Sequence, residues 1–409
     1  MNGLFAQNAY LLISLLKVAV VVLVLLTGIA YLTWFERKVV AHMQSRWGPE
    51  RVGPYGLMQP LADGVKFLFK EDPTPAGADR FVYFLAPFLS LSLALCTIAL
   101  IPFGPGEISI FGRSTSLSIA EINISLLIVF AFTSLSVYGV ALAGWASNSK
   151  YPLLGSLRSS AQMLSYELGL TMSVVGIVLL SGTFSLRTIV LAQQGTVLSV
   201  LPRWNVFSPI MPQVIGFLCF FIAALAETNR VPFDLPEAET ELVAGFHTEY
   251  ASFKFAMFFM AEYAAMVTVS AVASVLFFGG WLSPFPENPA FHFTYYLPTA
   301  LAAVGGVLLI VNGLRYRSMV GRVVVPVLGL ILLLLAATCA LPAVNPVIQG
   351  PFWLLGKIFF FLFVYVWIRG TLPRFRYDQL MAFGWKVLLP VSLANVVVTS
   401  LLILLREKR

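Results

Sequence analysis

The chain reads as an all-α, polytopic integral membrane helix bundle of about ten transmembrane helices, with an amphipathic helix along its cytoplasmic surface. Of 409 residues, 59% are hydrophobic and 11% charged, against roughly 45–50% and about 25% in soluble domains. The mean hydropathy of +0.87 agrees. Apolar runs recur at the length needed to cross a hydrocarbon core about 30 Å thick, which takes about 17–25 residues. Lipid cannot hydrogen-bond an exposed backbone, so each run is predicted to be helical. Lysine and arginine alternate between successive loops as they do in membrane proteins.

The first span is placed at Leu11–Trp34. The preceding MNGLFAQNAY lacks the basic start and small-residue cleavage site of a signal peptide, so this helix is expected to remain as an anchor. Arg37, Lys38, Arg46, Arg51, Lys66, Lys70 and Arg80 follow it, which predicts a cytoplasmic first loop and an N-terminus on the outer side of the membrane. Within that loop RWGPERVGPYG is rich in turn residues. Next, Gln59–Lys70 spaces Leu61, Val65 and Leu68 at i, i+4 and i+7 between Asp63, Lys66 and Lys70, the pattern of a helix at a membrane surface.

Further spans are predicted at Tyr83–Phe103, Ile119–Ala146, Gln162–Ser181, Ile210–Ala226 and Phe253–Leu282. The last four are Tyr296–Asn312, Val323–Leu341, Trp353–Ile368 and Leu388–Leu405. Lys150, Arg158, Arg315, Arg317, Arg322, Arg369, Arg374, Arg376 and Lys386 fall on the inner side, while Glu107–Ser118 carries only Arg113. The C-terminal Arg406–Arg409 segment lands outside, against the rule. With no internal repeat and no long linker, residues 1–409 are expected to form a single membrane domain. The net charge of +7 follows from the loop bias, and no nucleic-acid role is expected. Cys96, Cys219, Cys339, His42, His247 and His292 are dispersed, so neither a disulfide framework nor a metal or haem site is expected on this chain.

Acids concentrate in one loop, ETNRVPFDLPEAETELVAGFHTE, which holds Glu227, Asp234, Glu237, Glu239, Glu241 and Glu249. Asp234 and Glu237 have the placement of helix-capping residues. Asp234, Glu237 and Glu241 also share a helix face at i, i+3 and i+7, and crowded carboxylates beside a low-dielectric membrane share protons, as a relay requires. A solvated acidic face is the plainer alternative. Glu167, in the first turns of its expected helix, and Glu262, about nine residues and roughly 13 Å into another, are carboxylates inside spans and so functional candidates. Lys17 and Lys357 also lie in apolar runs, the former within reach of the outer surface, while Lys254 reads as an interface anchor.

Four motifs, FERKVVAHMQSRWGPERVGPYGLMQPLADGVKFLFKED, AQMLSYE, the acidic loop and TLPRFRYDQLMAFGWK, together resemble the H-type membrane subunit of the bacterial NADH:quinone oxidoreductases, respiratory complex I. The resemblance covers about Leu11–Ser283 and Phe352–Leu405. It implies a component of the proton-translocating enzyme that binds no cofactor itself and takes quinone as substrate at the junction of membrane and peripheral arms. Iron–sulfur clusters and FMN would sit in partner subunits, and the chain would contact quinone-module peripheral subunits, adjacent small membrane subunits and lipid. By the same resemblance Glu36, Arg37, Arg46, Asp63, Lys66, Phe67 and Arg230 belong to the quinone route. Glu167, Glu227, Asp234, Glu237, Glu239, Glu241, Glu249 and Glu262 belong to the proton path. Membrane-bound hydrogenases and ferredoxin-linked relatives carry a similar component, and a stand-alone ion-coupled transporter is the reading from another class. The chain departs from the family after Gly279-Gly280-Trp281, where residues 284–350 read as an inserted transmembrane hairpin.

Overall fold

The computed structural model describes residues 2–105, 107–110, 113–197, 201–234, 243–284, 289–316, 319–342 and 344–407. Helix α1 (Asn2–Met43) runs 42 residues, roughly 63 Å at ~1.5 Å per residue, so it outlasts the bilayer and carries Glu36, Arg37 and Lys38 past its apolar stretch. The surface helix α2 (Gln59–Phe69) follows. It leaves Leu61, Val65, Leu68 and Phe69 exposed, so its apolar stripe faces away from this chain, as a helix lying on lipid requires. Helix α3 (Arg80–Ile98) starts at Asp79, whose carboxylate accepts from the amides of Phe81 (3.1 Å) and Val82 (3.4 Å).

A short antiparallel hairpin, β1 (Glu107–Ile110) and β2 (Arg113–Ser116), leads to α4 (Ser125–Ala146), α5 (Lys150–Ser181) and the short α6 (Leu186–Leu191). Lys17 of α1 reaches this hairpin and donates to Thr115 Oγ1 (2.5 Å) and the Ser116 carbonyl (2.6 Å). A second two-stranded pair, β3 (Thr196–Val197) and β4 (Leu201–Pro202), precedes α7 (Val214–Glu227), which at 14 residues is the shortest of the core apolar helices.

Helix α8 (Ser252–Phe277) is the centre of the bundle: every residue from Thr268 to Phe277 is buried, and it packs on α1, α3, α6 and α7. It stops where Gly279 and Gly280 take positive φ, a conformation that strains other residues. There Lys357 donates to the carbonyls of Phe278 (2.7 Å), Gly280 (2.8 Å) and Leu282 (2.7 Å), so this membrane lysine satisfies a helix end.

Helices α9 (Leu297–Leu314) and α10 (Met319–Ala340) pack on each other through small residues, Gly306 against Gly329 and Gly313 against Pro326. Their turn meets the first loop, where the Tyr55 amide donates to Tyr316 Oη at 3.1 Å. Helix α11 (Asn345–Thr371) follows, then α12 (Tyr377–Phe383), which continues through a π-helical turn into α13 (Leu389–Glu407). Gln213 beside α7 joins α13 through Asn395 (2.9 Å) and Thr399 (3.1 Å), a buried amide network between helices.

Among the described residues, nine helices are long and apolar enough to cross a membrane, with α7 as a shorter tenth. The expected helix bundle is thus present, with different ends. Helix α5 begins at Lys150, twelve positions before the expected start, because a basic, serine-rich stretch stays helical outside the apolar run. Glu167 therefore lies mid-helix, roughly 25 Å from the start at ~1.5 Å per residue, not in the first turns.

Candidate functional site

Beyond Glu227 the chain turns sharply. The Thr228 hydroxyl returns to the Ala224 carbonyl (3.0 Å), Asn229 adopts φ 49, and the buried Gln162 amide of α5 donates to the carbonyls of Ala226 (2.8 Å) and Phe233 (2.9 Å). Asn tolerates left-handed backbone better than most residues. The turn carries Arg230 inward, where it is 8% exposed.

Arg230 Nη1 donates to Glu36 Oε1 at 3.3 Å, and its Nε pairs with Glu262 Oε1 at 2.5 Å. The guanidinium also lies over the Tyr263 ring, 4.2 Å from its centroid. Tyr263 Oη donates to Glu36 Oε2 at 2.6 Å, and Arg369 at the end of α11 pairs with Glu36 Oε1. One cluster therefore joins α1, α8, α11 and the segment after α7. A planar five-donor fork serves two carboxylates and a ring face at once, which a lysine cannot do.

The next residues are pinned to the segment between α11 and α12. The Phe375 amide donates to the Pro232 carbonyl (3.1 Å), Phe233 stacks on Phe375 (5.6 Å), and Arg374 pairs with Asp234 at 3.1 Å. Burial raises the Asp234 carboxyl from its ordinary 3.8 to about 6, against the downward pull of Arg374 and Arg230. With the folded value above the unfolded one, the folded chain binds the extra proton. Its stability contribution is therefore fully present below about pH 4 and is lost as pH rises through about 6. An Asp234→Asn variant should gain melting temperature relative to wild type between pH 4 and pH 7. A gap constant across that window would place the titration elsewhere.

Below the cluster, Glu227 and Glu262 line a cavity of about 140 Å³ together with Asn229, Ser136, Thr268 and His247. That volume has room for several waters among groups able to bind them. Burial pushes the His247 imidazole down to about 4, so it faces the cavity neutral at physiological pH. A separate apolar groove of about 790 Å³ runs between α1, α8 and α11 from Val20 to Phe35, ending one residue from Glu36.

The structure thus brings Glu36, Arg230 and Glu262 into direct contact, with Asp234 and Glu227 adjoining. Arg37 pairs with Asp63 on α2 at 3.0 Å, and Gln59 holds the other Asp63 oxygen at 2.9 Å. Phe67 packs against Phe255 (6.3 Å), whereas Lys66 and Arg46 are exposed, the latter hydrogen-bonded to Gln44. Glu167 accepts from Ser134 of α4, outside the cavity lining. Glu249 is half-buried and its backbone carbonyl accepts from Tyr83 Oη at 2.7 Å. Glu237, Glu239 and Glu241, and the helix that Asp234 was expected to cap, lie outside the described residues.

Sequence reasoning missed Arg369, Arg374, Tyr263 and His247. The two arginines read there as loop charges, although Arg374 belongs to the TLPRFRYDQ motif. Tyr263 had only its position beside Glu262 to mark it.

These features define a multi-pass membrane protein with a buried ionic cluster at one end of its bundle. The family described as NADH dehydrogenase matches residues 16–400. The chain is 50% identical over 396 residues to the first H subunit of the NADH-quinone oxidoreductase of Solibacter usitatus, covering 97% of this chain and 98% of that protein. It is 51% identical over 407 residues to the second H subunit of the NADH-quinone oxidoreductase of Koribacter versatilis, with coverage of 97% and 98%. To the NADH-quinone oxidoreductase H subunit of Thermomicrobium roseum it is 45% identical over 394 residues, 96% of each chain. The chain belongs to the family of NADH-quinone oxidoreductase H subunits.

Proposed function

We propose that this chain is the membrane subunit of a proton-translocating NADH:quinone oxidoreductase that guides quinone to its reduction site and links that reduction to proton movement. Glu262 carries the reading, because it pairs with Arg230 of the ionic cluster and also lines the cavity with Glu227. Reduction of a quinone to a quinol consumes two electrons and two protons. Electrons would come from an iron–sulfur cluster of a partner subunit, itself fed through FMN, and this chain would supply the protein surroundings and a proton path.

The apolar groove beside α1 suits an isoprenoid tail, and its end next to Glu36 and Arg369 suits a polar head. The carboxylates Asp234, Glu262, Glu227 and Glu167 would pass protons inward, with cavity water between Glu262 and Glu227. Glu237, Glu239, Glu241 and Glu249 are proposed to extend the same path by family resemblance. Residues 284–350 are proposed as a hairpin inserted at the periphery of a single membrane domain. The names of the relatives favour an NADH-linked enzyme over a hydrogenase-type or ferredoxin-linked complex, and a component of a larger assembly over a stand-alone transporter.

Asp63 tests the quinone route. Asp63→Asn should lower NADH:quinone reductase activity while NADH:ferricyanide reduction persists, since the latter needs no quinone site. Equal loss of both would signal failed assembly.

Sidedness is proposed from the basic loops, with the N-terminus outside. Arg315→Cys at the turn after α9 should label in inverted inner-membrane vesicles, and Gln194→Cys in intact spheroplasts. The reverse pattern would invert the chain.

A further inference from the structure

We propose that Ser252 and Lys254 are positioning residues that fasten the surface helix α2 to the chain leaving the acidic loop. The proposal rests on the quinone-route reading above, since α2 carries Asp63, Lys66 and Phe67. A helix on a membrane surface with no fully buried residue has little packing of its own to fix its angle. Its last carbonyls also need partners.

Ser252 provides them from outside the helix. Its hydroxyl contacts the Phe67 carbonyl at 2.7 Å and the Lys70 carbonyl at 3.0 Å, and the residue is 4% exposed. A single hydroxyl proton can be shared between these acceptors. Ser252 does this at φ 53, left-handed backbone that a serine adopts at an energetic cost. Glycine would relieve that strain but lose both contacts, so the hydroxyl gives a reason for serine to stand here.

The neighbouring residues fasten the same two segments. Lys254, 5% exposed, pairs with Asp72 at 3.2 Å, and its ammonium lies over the rings of Tyr83 (4.5 Å) and Phe84 (4.3 Å). Tyr250 stacks on Tyr83 with centroids 4.2 Å apart and planes 9° from parallel. Tyr83 Oη donates to the Glu249 carbonyl at 2.7 Å, and Tyr250 Oη returns to the Tyr83 carbonyl at 3.3 Å. Residues 249–255 and 67–84 therefore form one interlocked unit. A lysine expected at the membrane interface is instead buried in this joint. The angle of the quinone-side helix is set by the same residues that end the acidic segment.

The test uses the intact complex and titrates quinone. Ser252→Gly and Lys254→Met should each raise the KM for quinone about fivefold or more while kcat stays within about twofold, with NADH:ferricyanide activity unchanged. Ser252→Asn keeps a side-chain donor and tolerates left-handed backbone, and should restore KM to within about twofold of wild type. If Ser252 served only local backbone stability, Ser252→Gly would match or exceed wild type. A wild-type KM in both Ser252→Gly and Lys254→Met, while Asp63→Asn still impairs quinone reduction, would overturn the positioning role alone. Wild-type quinone kinetics in Asp63→Asn as well would overturn the quinone route and this inference together.

Discussion

Arg230→Met should destabilise the assembled complex by about 3–5 kcal/mol, the usual cost of removing one partner from a buried ion pair. Arg230 stands between Glu36 and Glu262, with side-chain exposures of 9%, 5% and 18%. Taking it away leaves Glu262 facing the cavity without its cation and leaves Glu36 dependent on Arg369 and Tyr263. A buried carboxylate without its cation is costly. Thermal melting of the purified complex should therefore shift down, and quinone reductase activity should fall with it. Arg230→Lys should fall between the two, since an ammonium cannot fork to both acids and stack on Tyr263. Pairing Arg230→Met with Glu262→Gln should cost less than the sum of the single changes, because the second removes the charge that the first strands. Wild-type melting and turnover in Arg230→Met would show that the cluster is not held as described.

A second large effect is expected at the cavity. Glu→Gln keeps size and one acceptor oxygen but removes the titrating proton. Glu262→Gln can still accept from Arg230 Nε, and Glu227→Gln still lines the cavity, so both complexes should assemble. Quinone-linked turnover should drop about 100-fold in each, the scale of a lost proton-transfer group. Glu50→Gln is the control: its carboxylate sits 3.2 Å from Lys38 and is 48% exposed, and its loss should leave turnover unchanged. A comparable loss in Glu50→Gln would point to general electrostatics instead of a path.

Much of the architecture was legible because lipid imposes one rule on every span. The apolar runs found α1, α3, α4 and α8 through α11 from hydrophobicity alone. Their ends were not legible, since a hydropathy run marks what lies in lipid and a helix continues wherever its backbone bonds can form. Thus α1 reaches Met43 and α5 starts at Lys150. The surface helix was read correctly from the Leu61, Val65 and Leu68 spacing, but nothing in that spacing shows that Ser252 closes its far end.

The site divides in the same way. Glu262, an acid in an apolar run, and Glu227 and Asp234, in an acid-rich loop, stand out in one dimension, whereas Glu36 is marked by the family resemblance alone. Their cations did not stand out, because arginines at helix ends are what the positive-inside rule already expects. Only the fold shows that Arg369 meets Glu36, 333 positions away, and that Arg374 meets Asp234. Lys17 and Lys357 stand out in the same way, as charges in apolar runs, and the fold shows them donating to backbone carbonyls.

Proteoliposomes containing the intact complex with Glu262→Gln offer the most direct test, with NADH-driven quinone reduction and proton translocation recorded in the same sample. If Glu262 links the ionic cluster to the cavity carboxylates, both should fall together by about 100-fold while NADH:ferricyanide reduction stays at the wild-type rate. Proton translocation at the wild-type rate, with the wild-type number of protons per quinone reduced, would contradict the account.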